Sequence, residues 1–232
     1  MKRLFPLLVS GFVLAASASA QVAFDKRAAD IGLLQAKPVQ TDVGITAAQR
    51  TKMNAAADKH RKSLQDYEKT LKALGTTTPD KRRMLGFFET LKSDVFAVLT
   101  PPQIKRLREL TLQRLGLIAL TDEQVAKKVG LSAAQVTKLK TAFQNGRTKF
   151  MNLQQSTAKP ILAPYEGRKP KTQAEATALR TEIEGKLKVA SARVKPQLVA
   201  IGKQTDAAML AVLTPAQKAT WTALKGRPFK GK

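Results

Sequence analysis

Cysteine is absent from this 232-residue chain, and histidine and tryptophan each occur once. Without cysteine there is no disulfide to staple the fold, no thiol nucleophile and no thiolate metal site. One histidine, His60, cannot supply the clustered imidazoles of a transition-metal centre, and it lies on an apolar stripe. No metal and no cofactor are therefore expected. Catalytic motifs are missing too: there is no G-x-S-x-G, no HExxH, no P-loop and no glycine-rich nucleotide fingerprint. Glu182 and Glu184 stand two apart on a helical stretch, so they point to different faces and do not form an acid–base pair. The chain is not expected to be an enzyme.

Acidic residues are also scarce, 17 against 41 lysines and arginines, for a net charge of +24. Such a surplus favours anionic partners: acidic segments of unfolded proteins, lipid head groups, polyanionic polymers or nucleic acid. Few aromatics and no recognisable DNA or RNA module argue against nucleic acid. The one long apolar run, Leu4 to Ala16, follows Lys2-Arg3 and precedes the small residues Ala18-Ser19-Ala20. This is the pattern of a secretory signal over residues 1–20, with the mature chain starting at Gln21 and exported to the periplasm or beyond. No later stretch is apolar for long enough to anchor the chain in a membrane.

What the chain has in abundance is one short phrase: an apolar residue, Thr or Ser, two arbitrary residues, Gln. It occurs at Ile45–Gln49, Leu99–Gln103, Leu120–Gln124, Leu131–Gln135 and Leu213–Gln217. Each reads as a capping box. The hydroxyl of Thr46, Thr100, Thr121, Ser132 or Thr214 accepts a backbone N–H of the first turn. Gln49, Gln103, Gln124, Gln135 or Gln217 reaches back to the cap's own N–H. Pro101 and Pro215 occupy the first helical position, where a missing N–H costs nothing.

The phrases come in register. Val39, Val43 and Gly44 before the first box match Val125, Val129 and Gly130 before the fourth. Likewise Val95–Pro101 resembles Met209–Pro215. Between the boxes, apolar residues recur every three or four positions, as in Met53, Ala57, His60, Leu64, Tyr67, Leu71 and Leu74, or Leu179, Ile183, Leu187 and Ala190. This is the period of amphipathic helices. The expected fold is all-α, with long antiparallel helices in two tandem hairpin units. The first covers 39–116 and the second 117–229, with an exposed proline-rich loop over 158–171. Residues 21–38 show no clear pattern and are expected to be partly disordered, and 230–232 form a tail.

Paired LTxxQ phrases framing long helices behind a secretory signal resemble the Spy/CpxP family of periplasmic proteins. That resemblance implies a curved helical cradle, formed in the family by two subunits, whose basic and apolar face holds unfolded proteins without ATP. Each half of this chain looks like one such subunit, which implies either a monomeric pseudo-dimer or a homodimer of the tandem chain. The expected activity is that of a holding chaperone or envelope-stress protein. The alternative is a non-enzymatic periplasmic regulator, or a protein coating an anionic envelope polymer. The candidate client-binding residues flank the apolar stripes: Arg50, Lys52, Lys59, Arg61 and Lys62 in the first half, and Lys138, Lys140, Arg147 and Lys149 in the second.

Overall fold

The computed structural model describes the backbone of residues 10–231 and the side chains of residues 19–231. Among the described residues there are nine α-helices and no strand: α1 (Ser10–Ala28), α2 (Lys37–Val43), α3 (Ala47–Ala73), α4 (Lys81–Val98), α5 (Pro101–Leu115), α6 (Glu123–Val129), α7 (Ala133–Leu162), α8 (Gln173–Ala211) and α9 (Pro215–Lys225). The fold is all-α. The chain divides into two compact units, one of residues 1–116 with 222–232, the other of residues 117–221. The C-terminal segment 222–232 thus belongs to the first unit.

In the first unit, α3 packs on α4, and α1 and α2 pack on α5. Local chemistry sets the ends. Thr46 caps α3, and Gly75, at φ 68°, lets the chain leave it. The Asp80 carboxylate accepts the Arg83 N–H at 2.8 Å and starts α4. The core gathers at the box end of the α3–α4 pair, from Val39, Val43, Ile45, Met53, Val95, Phe96, Leu99, Ile104, Leu107 and Leu110. Farther along the pair only Tyr67 is buried; its hydroxyl accepts the Asp80 N–H at 2.9 Å, tying the ends of the two helices together.

The expected disorder over 21–38 is corrected. Residues 21–28 continue α1, a 3-10 turn covers Ile31–Gln35, and α2 follows. Phe24, Ala29, Ile31 and Leu34 are buried. No single period is visible here because Asp30 breaks the helix and caps the turn, through the Gly32 N–H at 2.8 Å, which resets the phase of the apolar residues. The basic start of the expected signal lies outside the described residues. The helix α1 runs unbroken through Ala18-Ser19-Ala20, and among its described side chains Phe24 and Asp25 are buried.

In the second unit α7 and α8 pack along their length. They come close together at Gly146: a Cβ there would lie 2.0 Å from Thr205 Oγ1. The expected loop 158–171 is shorter than its prolines imply. Helix α7 continues through Pro160 to Leu162, and a 3-10 turn follows over Ala163–Tyr165. Pro160 stands in the last turn, where a missing N–H removes a single bond. Pro196 lies inside α8, which Thr172 caps through the Glu175 N–H at 3.1 Å.

Candidate functional site: glutamine clasps and basic helix faces

Four of the five phrases come together in pairs. In the first unit the Gln49 and Gln103 side chains face each other as amides. Gln49 Nε2 donates to Gln103 Oε1 at 2.8 Å, and Gln103 Nε2 donates to Gln49 Oε1 at 2.9 Å. Their remaining amide hydrogens go to backbone carbonyls, Val98 at 3.0 Å and Gly44 at 2.8 Å. Each Oε1 also accepts the N–H of its own cap, Thr46 at 3.1 Å and Thr100 at 2.9 Å. Those cap bonds fix which end of each amide is oxygen.

The second unit repeats the arrangement atom for atom. Gln135 and Gln217 exchange bonds of 2.8 and 3.1 Å, and donate to Val212 and Gly130 at 2.9 and 2.7 Å. Their oxygens accept the Ser132 and Thr214 N–H groups, both at 3.0 Å. Gly44 and Gly130 both sit at φ 74°, a left-handed conformation that ends α2 and α6 and presents their carbonyls to the clasp. A capping box tolerates Glu, because it needs only an acceptor. The clasp requires Gln, because both side-chain hydrogens are used. The capping hydroxyls differ slightly. Thr46, Ser132 and Thr214 accept the N–H of the Gln three residues on, at 3.2, 3.2 and 3.3 Å. The Thr100 hydroxyl instead donates to Gln103 Oε1 at 3.1 Å.

The middle phrase is corrected. Thr121 and Gln124 do not form a capping box; α6 starts one residue later, on Asp122, whose carboxylate accepts the Gln124 and Val125 N–H groups at 2.9 and 3.1 Å. An ionised carboxylate accepts better than a hydroxyl. Thr121 turns away and donates to Ile118 O at 2.8 Å, closing the preceding 3-10 turn.

All nine candidate cations are exposed: Arg50, Lys52, Lys59, Arg61 and Lys62 on α3, and Lys138, Lys140, Arg147 and Lys149 on α7. Arg61 is paired with Asp58 at 2.6 Å. Lys138 and Lys149 flank a shallow groove of about 420 Å³ between α7 and α8, with Asn145, Gln204 and Thr205 in its lining. His60 is half-buried and packs edge-on against Phe87, ring centres 5.8 Å apart, as a core histidine does. Among the described residues no three His, Asp or Glu side chains gather as a metal site would require.

Sequence reasoning missed a buried ionic cluster on α5. Arg106 binds both carboxylate oxygens of Asp42, at 3.1 and 2.8 Å, and Glu109 at 2.9 Å. Its Nη1 also donates to the Arg227 carbonyl at 2.7 Å. Arg227 in turn pairs with Asp42. Arg108 pairs with Asp25 at 2.9 Å and donates to the Leu224 carbonyl. Gln113 holds the same tail, donating to the Lys225 and Arg227 carbonyls at 2.6 and 2.8 Å and accepting the Phe229 N–H at 2.9 Å. The hydrogen bond from Arg106 holds the Asp42 carboxyl below its ordinary range, against the opposing effect of burial. Burial pulls Arg106 down, but its bonds to Asp42 and Glu109 outweigh this and leave it raised. The available signal was two arginines set among Ile104, Leu107 and Leu110, where a surface helix would not place them all inward.

At the far end of the α7–α8 pair, Tyr165 donates to Glu182 at 2.6 Å and accepts from Lys186 at 2.5 Å. Glu182 is held low first by its bond from Lys186 and then by Tyr165. None of the described helices is long and apolar enough to cross a membrane. Comparison with protein-family models, curated proteins and solved structures returned no match.

Proposed function

We propose that the protein is an exported binding protein with no reaction of its own, which holds unfolded or misfolded proteins without ATP on basic and apolar helix faces. The observation that carries this reading is the interleaving of exposed cations with exposed large apolar side chains on the long helices. On α7, Met151 is exposed beside Arg147 and Lys149; on α8, Val189 and Val199 are exposed among Lys186, Lys188, Arg193, Lys195 and Lys203. Charge speeds the encounter with an acidic unfolded segment, and modest apolar contact retains it. Retention stays weak because isolated apolar residues, rather than a deep groove, provide the contact. The LTxxQ clasps, and the resemblance to Spy/CpxP proteins that they carry, support the same reading. They serve as rigid ends for the helices that present the surface. In the pseudo-dimer form of the proposal, one chain supplies both halves of a cradle.

The test is suppression of aggregation of an unrelated unfolding protein, at low and moderate salt. Suppression that persists in part as salt rises is the expected result. Binding that collapses completely with salt would instead favour a polyanion-coating protein, since phosphate- or polymer-type contacts are lost with counterion screening.

A further inference from the structure

We propose that the tip of the first unit's α3–α4 pair is a docking site for an anionic lipid surface. This goes beyond the client-holding reading and uses different residues. The core of the unit lies at the box end of the pair, so the helices run on as a two-helix arm with Tyr67 alone buried. At the end of that arm Leu74, Met84, Leu85 and Phe88 are all exposed, Leu74 by 73% and Leu85 by 64%. Met84, Leu85 and Phe88 lie on one side of α4, spaced by three and four, and Leu74 ends α3 across the turn.

No core position explains these four side chains, and the arm's own packing is already satisfied by Tyr67, Phe87 and His60, whose rings meet at 5.7 and 5.8 Å. Charge completes the picture. From Lys72 to Phe88 there are four cations, Lys72, Lys81, Arg82 and Arg83, and one carboxylate, Asp80. That carboxylate is occupied as the α4 cap. Lys72, Lys81 and Arg82 are exposed around the apolar tip. A small convex apolar cap ringed by cations suits a flat anionic surface: the apolar side chains enter the head-group boundary and the cations meet phosphates. A second copy of this chain is a poor occupant, because two such tips would bring like charges together.

The absence of cysteine makes the test clean. A polarity-sensitive fluorophore is attached at Leu85→Cys and, as a control on the shaft of the same arm, at Lys59→Cys. Each labelled full-length protein is titrated with vesicles of phosphatidylglycerol and phosphatidylethanolamine in equal parts, and with phosphatidylcholine vesicles. The expected result is a blue shift at position 85 with the anionic vesicles, little at 59, and little with phosphatidylcholine. Adding Phe88→Ser and Leu74→Ser should raise the lipid concentration needed for half the shift about tenfold, with an unchanged circular dichroism spectrum and melting temperature showing that the arm remains folded. No shift at 85, equal shifts at 85 and 59, or a shift at 85 with an acid-denatured protein but not with vesicles would each overturn the proposal. The aggregation assay is read separately, so loss of one activity is distinguishable from loss of the other.

Discussion

The two units share a clasp and differ in almost everything around it. In the first, the helix that follows the second box, α5, is surrounded: Ile104, Leu107, Leu110 and Leu112 are buried, and so are Arg106, Arg108, Glu109 and Thr111. In the second, the corresponding helix α9 buries Trp221 and little else. The first unit wraps α5 with α1, α2 and the C-terminal tail, whereas the second unit's long helices α7 and α8 depend mainly on each other. The comparison separates two jobs. The clasp fixes how helices begin and pair, independently of what lies beyond it. The surroundings decide whether the following helix becomes a core element or a surface one.

The largest effect should come from breaking what only the first unit has. Arg106→Ala leaves Glu109 buried without its partner and Asp42 with Arg227 alone, and should lower stability by about 3–5 kcal/mol, read by urea denaturation. A loss of less than about 1 kcal/mol would mean that water reaches the cluster and that the wrapping of α5 is loose.

Next comes the feature that both share. Gln49→Glu and Gln135→Glu each keep the cap acceptor but replace two donors by oxygen, facing a partner amide and a carbonyl. Each should cost about 1–3 kcal/mol. Near-equal losses would show the clasps to be equivalent; a loss in one unit alone would show that its surroundings, and not the clasp, hold that end.

The second unit has its own weak point. Gly146→Ala drives a methyl into Thr205 and should cost about 1–3 kcal/mol, by thermal melting. Thr205→Ala in the same chain should restore part of it, because it removes Oγ1 and Cγ2 and leaves only Cβ, at 2.9 Å, in the way. Gly86, the one glycine of α3 and α4, offers no such test: a Cβ there meets nothing within 4 Å.

Acid should act on the first unit through Asp42. Its folded value is held below the ordinary 3.8, chiefly by the bond from Arg106. Its contribution is therefore complete above that ordinary value and is lost as pH falls through the folded one. Asp42→Asn should flatten the decline of the denaturation midpoint between about pH 5 and about pH 2. An unchanged profile would assign the acid sensitivity to other carboxylates.

The smallest effect concerns the phrase that is not a box. Asp122→Ala should cost about 1 kcal/mol as a lost cap, and Thr121→Ala less, since its hydroxyl closes only the 3-10 turn. The reverse order, measured by urea midpoints, would restore the capping role to Thr121.

Much was legible because it is local. Helix starts at Thr46, Thr100, Ser132, Thr214 and Thr172 follow from hydroxyls and carbonyl geometry within one turn, and the apolar period gives the helices themselves. The departures came where local signals compete. At Thr121-Asp122 two cap residues adjoin, and the carboxylate wins. At Pro160 the sequence signals a break, but α7 gives up that one N–H bond and runs on to Leu162. Over 21–38 a broken phase conceals a buried segment. The exposed cations were legible as exposed; whether any belongs to a binding face depends on neighbours that periodicity does not name.

By itself, then, the sequence determined an all-α chain, its paired helix starts and its surplus of positive charge, since each depends on residues within a few positions of one another. Only the tertiary structure decided that the cap glutamines meet across 54 and 82 residues as reciprocal amides. It likewise decided that Arg106 and Arg108 turn inward to Asp42 and Asp25, and that the last residues join the first unit. These are long-range pairings. A glutamine or an arginine looks the same in sequence whether it faces water or a partner, and only packing supplies the desolvation that makes the partner necessary.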